Sequence, residues 1–270
     1  MTQQSLEQIS QPQDVSRATQ IEQASRTAEV LARVKVAQSC QRSIPQAVAE
    51  MRESCGTLAV AQGAFFAYPQ GGQTVHGNSI RLAEELARVF GNIDYGLSEL
   101  RRDDELGESE MTVWAWDMQS NSRVTRTFIV KHARDTRQGR KKITDLRDIA
   151  NSNNNAASRQ MRECIFKVLP RWFVEQAAET CRETLQRGDG KPLAERVSEL
   201  VAAFGRGGVS VKQLETHQGR EIAAWTERDV ADLGVVFQSL AAKEIRRDEV
   251  FPPETVSVDE LTGEVQEPPQ

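Results

Sequence analysis

Lys131, Arg134, Arg137, Arg140, Lys141 and Lys142 place six cations within twelve residues. The surrounding stretch, 121–150, carries nine Lys or Arg against three Asp, a local charge of +6 in a chain of net charge −5. A basic island in an acidic chain is the electrostatic footprint of a polyanion held on one face. Cations at this spacing, with Gly139 between them for flexibility, suit nucleic-acid phosphates, which are gripped without reading base sequence. The competing reading is a solvated surface loop, the usual fate of clustered charge.

Further candidates lie on either side. Arg159 and Arg162 are three apart and so share one face of a helix, and Lys167 and Arg171 extend its basic character. The small residues Ala156, Ala157 and Ser158 admit a close neighbour, either a nucleic-acid backbone or another helix. Trp114 and Trp116 point the same way on one strand, where bases can stack at about 1–3 kcal/mol each. Burial of the Trp face under helices is the alternative. Tyr68 and Tyr95 are weaker stacking candidates than the Trp pair.

Catalytic patterns are harder to find. A divalent-metal nuclease of the restriction type needs an acid on one strand and Glu-x-Lys on the next. Glu110 and Asp117 sit on a predicted strand, but Ile129 occupies the acidic position two residues before Lys131. There is no phosphate loop of the Walker type, so ATP-driven chemistry is not indicated. Cys40, Cys55, Cys164 and Cys181 lack paired zinc spacing and read as buried, reduced thiols. His76, His132 and His217 are scattered. Asp103, Asp104 and Glu105 fall on a Gly-containing turn and read as a solvated tip. No catalytic residue, metal site or cofactor is expected; the reading is a binding protein rather than an enzyme.

The elements that must position these side chains follow from periodicity. At 270 residues, 39% hydrophobic and 27% charged, the chain fits a soluble globular protein. No apolar run is long enough for a membrane span, and residues 1–17 lack a secretory pattern, so a cytoplasmic location is expected. Helices are predicted over 18–36, 45–55 and 80–90, the last capped by Ser79 with Ile80, Leu82, Ala83, Leu86 and Val89 as its apolar face. A small apolar stretch at 57–69 reads as a short buried helix and an extended piece, ended by Pro69 and a Gly71-Gly72 turn. Three strands follow at 93–101, 110–118 and 123–131, with Met111, Val113 and Ala115 alternating against Thr112, Trp114 and Trp116. Residues 145–185 read as helix divided at Pro170, and helices at 193–204, 210–216 and 226–244 complete the chain.

The fold class predicted is α+β: a β meander of about three or more strands packed against helices, followed by a small helical C-terminal domain. The expected organisation is a disordered N-terminus (1–17), an α+β DNA-binding and oligomerisation domain (18–187), a helical domain (192–247) and an acidic disordered tail (248–270) with seven acids and no Lys or Arg.

Two blocks carry a family resemblance. One is Tyr68-Pro69-Gln70-Gly71-Gly72 with Val75-His76-Gly77-Asn78-Ser79-Ile80-Arg81-Leu82-Ala83-Glu84. The other runs from Thr144-Asp145 and Asp148 through Ala156, Arg159 and Arg162 to Ile165-Phe166-Lys167 and Pro170. Together they resemble phage and prophage recombination proteins. The order of helix, Phe-Gly, meander, basic connection and long helix is similar to the RecT/Redβ/Erf single-strand annealing superfamily. That resemblance implies a cytoplasmic, phage-type recombinase that binds single-stranded DNA and anneals it to a complementary strand through a duplex intermediate, without ATP. It further implies a homo-oligomeric ring or filament, a partner exonuclease and the host single-strand-binding protein. The chain departs from the pattern at Asn78, where Pro is expected, and at Gln70, where a basic residue is usual. The alternatives are a metal-dependent phage nuclease and a non-catalytic adaptor for replication or recombination, working through the C-terminal helices and tail.

Overall fold

The computed structural model describes residues 17–70, 73–136 and 139–252. The chain folds as an α+β protein, as its periodicity predicts. Helix α1 (Arg17–Ser39) leads to α2 (Ile44–Cys55), where Ser43 caps the first turn and a proline stands just inside it. Helix α3 (Leu58–Gly63) runs into a hairpin of β1 (Phe65–Gln70) and β2 (Gln73–Asn78). The β2 partner is absent from the sequence reading. The predicted Gly71-Gly72 turn lies outside the described residues.

Helix α4 (Ile80–Phe90) starts where expected: Ser79 Oγ accepts from Leu82 N and also donates to the Gly63 carbonyl, at 3.1 and 2.6 Å. The meander is β3 (Ile93–Asp103), β4 (Glu108–Asp117) and β5 (Ser122–Lys131), antiparallel in that order. Ile93 pairs with Asp117 and Trp114 with Thr125, and a bulge at Leu100 offsets the register between Glu99 and Arg101.

The basic connection is not a plain loop. It forms a second hairpin, β6 (Ala133–Thr136) and β7 (Gly139–Lys142), with Arg134 opposite Lys141. Helix α5 (Leu146–Val168) follows, with Asp145 accepting from Arg147 N and Asp148 N at its start. Pro170 divides it from α6 (Arg171–Arg187).

The C-terminal helices are α7 (Leu193–Arg206), α8 (Val211–Gln218), α9 (Glu227–Ala241) and a short α10 (Arg247–Val250). They do not stand apart. Ser239 of α9 accepts a buried bond from Ala67 N on β1, and one apolar cluster runs from Met51 and Phe173 to Leu233 and Phe251. The acidic tail also begins later than expected, because Val250 and Phe251 are buried and Phe251 meets Phe204 edge to face at 5.5 Å.

Helix α5 covers one side of the meander. Ala157, Met161 and Ile165 share the buried cluster with Met111, Val113 and Ala115, all pointing inward from β4. Arg42 and Asp117 form a buried ion pair at the end of β4, with side chains 8% and 7% exposed. Burial works to raise the Asp117 carboxyl, but bonds from Arg42 and Ser120 outweigh it and hold the group below its ordinary value. The cysteines need one correction: Cys55, Cys164 and Cys181 are buried as expected, but Cys40 is exposed.

Candidate nucleic-acid interface

The predicted cations divide among three surfaces. The first is the β6–β7 hairpin, where Arg140, Lys141 and Lys142 are exposed. Arg134 reaches Asp148, in the first turn of α5, at 3.6 Å. Arg137 lies outside the described residues. The second surface is the side of α5 turned away from the sheet. Arg159 lies two residues from both Ala157 and Met161, about 200° round the helix from each. Asn151, Asn155 and Arg159 follow at four-residue steps, all exposed, and Arg159 has no ion-pair partner among the described residues. The Arg134–Asp148 contact brings the basic hairpin to the start of α5, and the run from its exposed cations to Arg159 is the candidate ridge.

Two of the predicted cations are committed elsewhere. The Arg162 guanidinium is half-buried, donates to Glu163 at 3.1 Å and lies 4.7 Å from the centre of the Phe66 ring. Lys131 pairs with Glu108 on the third surface, the open face of the meander. Lys167 is exposed on the flank of α5.

Trp114 and Trp116 also occupy that open face and are half-buried, on the side of β4 away from the residues that pack under α5. The Trp114 indole lies over Gly96, where a Cβ would come within 2.5 Å of the ring. Its Nε1–H donates to Asp94 at 2.8 Å. The Trp116 Nε1–H donates to Asn121 at 3.1 Å. Because residues alternate along β4, these rings and α5 stand on opposite sides of the sheet. A strand lying along α5 cannot stack on them.

The acidic residues do not converge either. Glu110 points to the open face and Asp117 inward, where it is bound to Arg42. A pair on opposite sides of a strand cannot grip one metal ion. No cluster of three His, Cys, Asp or Glu suited to a metal occurs among the described residues.

One polar constellation escapes sequence reading. Ser109 Oγ lies 2.8 Å from His132 Nε2, both buried, beneath the hairpin junction. Arg102 and Asn153 both donate to Glu99, at 3.1 and 3.5 Å. A bond from Ser109 is the main cause holding the Glu99 carboxyl below its usual range. Ser109 is wholly buried, so its hydroxyl is closed to a substrate. The cluster ties β3 and β4 to the start of the basic hairpin. The bond from Ile143 N to His132 O, 2.9 Å, closes that hairpin's base.

No helix among the described residues is long and apolar enough to cross a membrane. Comparison with protein-family models, curated proteins and solved structures finds no match to this chain.

Proposed function

We propose that this chain is a single-stranded DNA annealing protein that works without ATP. The observation that carries the reading is the ridge formed by the exposed β6–β7 cations and the outward face of α5. Phosphates bind such a surface through charge alone, which leaves base edges free to meet a second strand. From Asp148 to Arg159 the ridge follows about 16 Å of helix. That is room for about five nucleotides at the 3.4 Å per-strand rise of stacked, helical DNA. The resemblance of the two sequence blocks to RecT/Redβ/Erf annealing proteins supports the same reading.

Self-association belongs to the proposal. Helix α1 is tied down mainly at its C-terminal end, by Arg33 to Asp94 at 2.6 Å and by Asn92 Nδ2 to the Cys40 carbonyl at 3.0 Å. Ile21 and Leu31 remain 61% and 64% exposed, and with Ala24 and Ala28 they form a seam at three- and four-residue steps. A second copy covering that seam would line up ridges along a strand. The partner exonuclease and host single-strand-binding protein are proposed on the resemblance alone.

The test is anisotropy of a labelled 30-nucleotide strand titrated with the full chain, with the same sequence as duplex for comparison. Tight, salt-sensitive binding that favours the single strand is expected. No binding at low salt would reject the reading, and shortening of the labelled strand in Mg²⁺ would point to a nuclease instead.

A further inference from the structure

We propose that bases of the bound strand stack on a ledge made by Tyr68 and Phe66, at the C-terminal end of the ridge, and not on the two Trp of the meander. The proposal rests on the annealing reading and gives that site its contact to bases.

Phe66 and Tyr68 are two apart on β1, so they project from one face of the hairpin while Phe65 and Ala67 enter the core. Their rings are stacked, with centres 5.6 Å apart and planes inclined by 24°. Phe66 is fixed from below. It lies against Gly77, directly opposite on β2, where a Cβ would come within 2.7 Å of the ring. The Arg162 guanidinium over the ring adds a cation–π contact. Tyr68 ends the stack and is 36% exposed, so it is not a core residue. A flat ring held beside a second, immobilised ring is a surface to which a base can add as the next layer.

The position fits the occupant. Arg162, which holds Phe66, lies on the flank of α5 one turn beyond the exposed Arg159. A phosphate on Arg159 and a base on Tyr68 therefore belong to neighbouring parts of one strand. Stacking engages the flat face of a base and leaves its pairing edge free, so the contact tolerates any sequence and does not block annealing. Arg162 acts here as a positioning residue, since its guanidinium is already engaged by Glu163 and Phe66.

The experiment compares a 30-nucleotide thymidine strand with an abasic strand of the same length and charge, using the full chain. Tyr68→Ala should weaken binding of the thymidine strand about tenfold, leave the abasic strand unaffected and keep the salt dependence unchanged. Tyr68→Phe should bind as the wild type does. Lys141→Gln should weaken both strands alike. A Tyr68→Ala protein that binds thymidine normally, or that loses both strands equally, overturns the ledge. Wild-type protein that binds neither strand overturns the annealing reading beneath it. Photocrosslinking of the wild-type chain to a strand containing 5-iodouridine needs no variant: adducts at Phe66 or Tyr68 are expected, and adducts confined to Trp114 or Trp116 would refute the proposal.

Discussion

Replacing Arg140, Lys141 and Lys142 with Gln removes three exposed charges from β7 without introducing new ones. Their effect can be worked from counterion release. Each phosphate contact on a single strand contributes about 0.7 to the slope of log affinity against log salt, so three contacts contribute about 2. Between 50 and 200 mM salt, a fourfold change, that slope is worth roughly twentyfold in affinity. The triple variant should therefore bind more weakly at 50 mM and lose about twentyfold less than the wild type on going to 200 mM. Because the side chains are exposed, stability should stay within about 0.5 kcal/mol. Anisotropy at four or five salt concentrations measures the slope, and a thermal melt checks the fold. A variant with the wild-type slope would show that these cations do not touch phosphate, and the ridge would lose its foundation.

Other outcomes follow from the same geometry. Trp114→Phe with Trp116→Phe should leave single-strand affinity within about twofold, because the rings lie across the sheet from α5; a larger loss by anisotropy would move the binding surface to the open face. Arg42→Met should cost about 3–5 kcal/mol in a denaturant melt, since it leaves the Asp117 carboxylate buried alone. The depressed Asp117 value means that this carboxylate adds stability at neutral pH and loses it as pH falls below about 4. The wild type should thus weaken more steeply in acid than Asp117→Asn, as read by stability against pH. Ile21→Glu with Leu31→Glu should shift sedimentation from assemblies toward the monomer, and unchanged assemblies would place the subunit contact elsewhere.

Much of the scaffold was legible because local chemistry announces it. Ser79 before Ile80, Leu82, Ala83, Leu86 and Val89 specifies α4 by cap and by period. Alternation from Met111 to Trp116 specifies β4 and even its two faces. The β6–β7 hairpin gave no such signal: Gly139-Arg140-Lys141-Lys142 is exposed throughout, so no buried side imposes a period of two. β2 is similarly short and hides Gly77, whose missing side chain matters only because Phe66 lies across from it. Contacts between distant residues leave no local trace. Arg42 and Asp117 are 75 residues apart, and the Phe66–Arg162 contact joins β1 to α5. The site was therefore legible as a density of charge. Sequence could not reveal which cations are already engaged, nor that the sheet separates the Trp pair from α5.

The most direct test of the central claim is annealing itself. Two complementary oligonucleotides, one carrying a fluorophore and the other a quencher, are mixed with the chain in buffer without nucleotide, and quenching is followed in time. The wild type should accelerate pairing severalfold over the spontaneous rate, and Arg140→Glu/Lys141→Glu/Lys142→Glu should return it to that rate while melting as the wild type does. A folded charge-reversal variant that anneals as fast as the wild type would contradict the account.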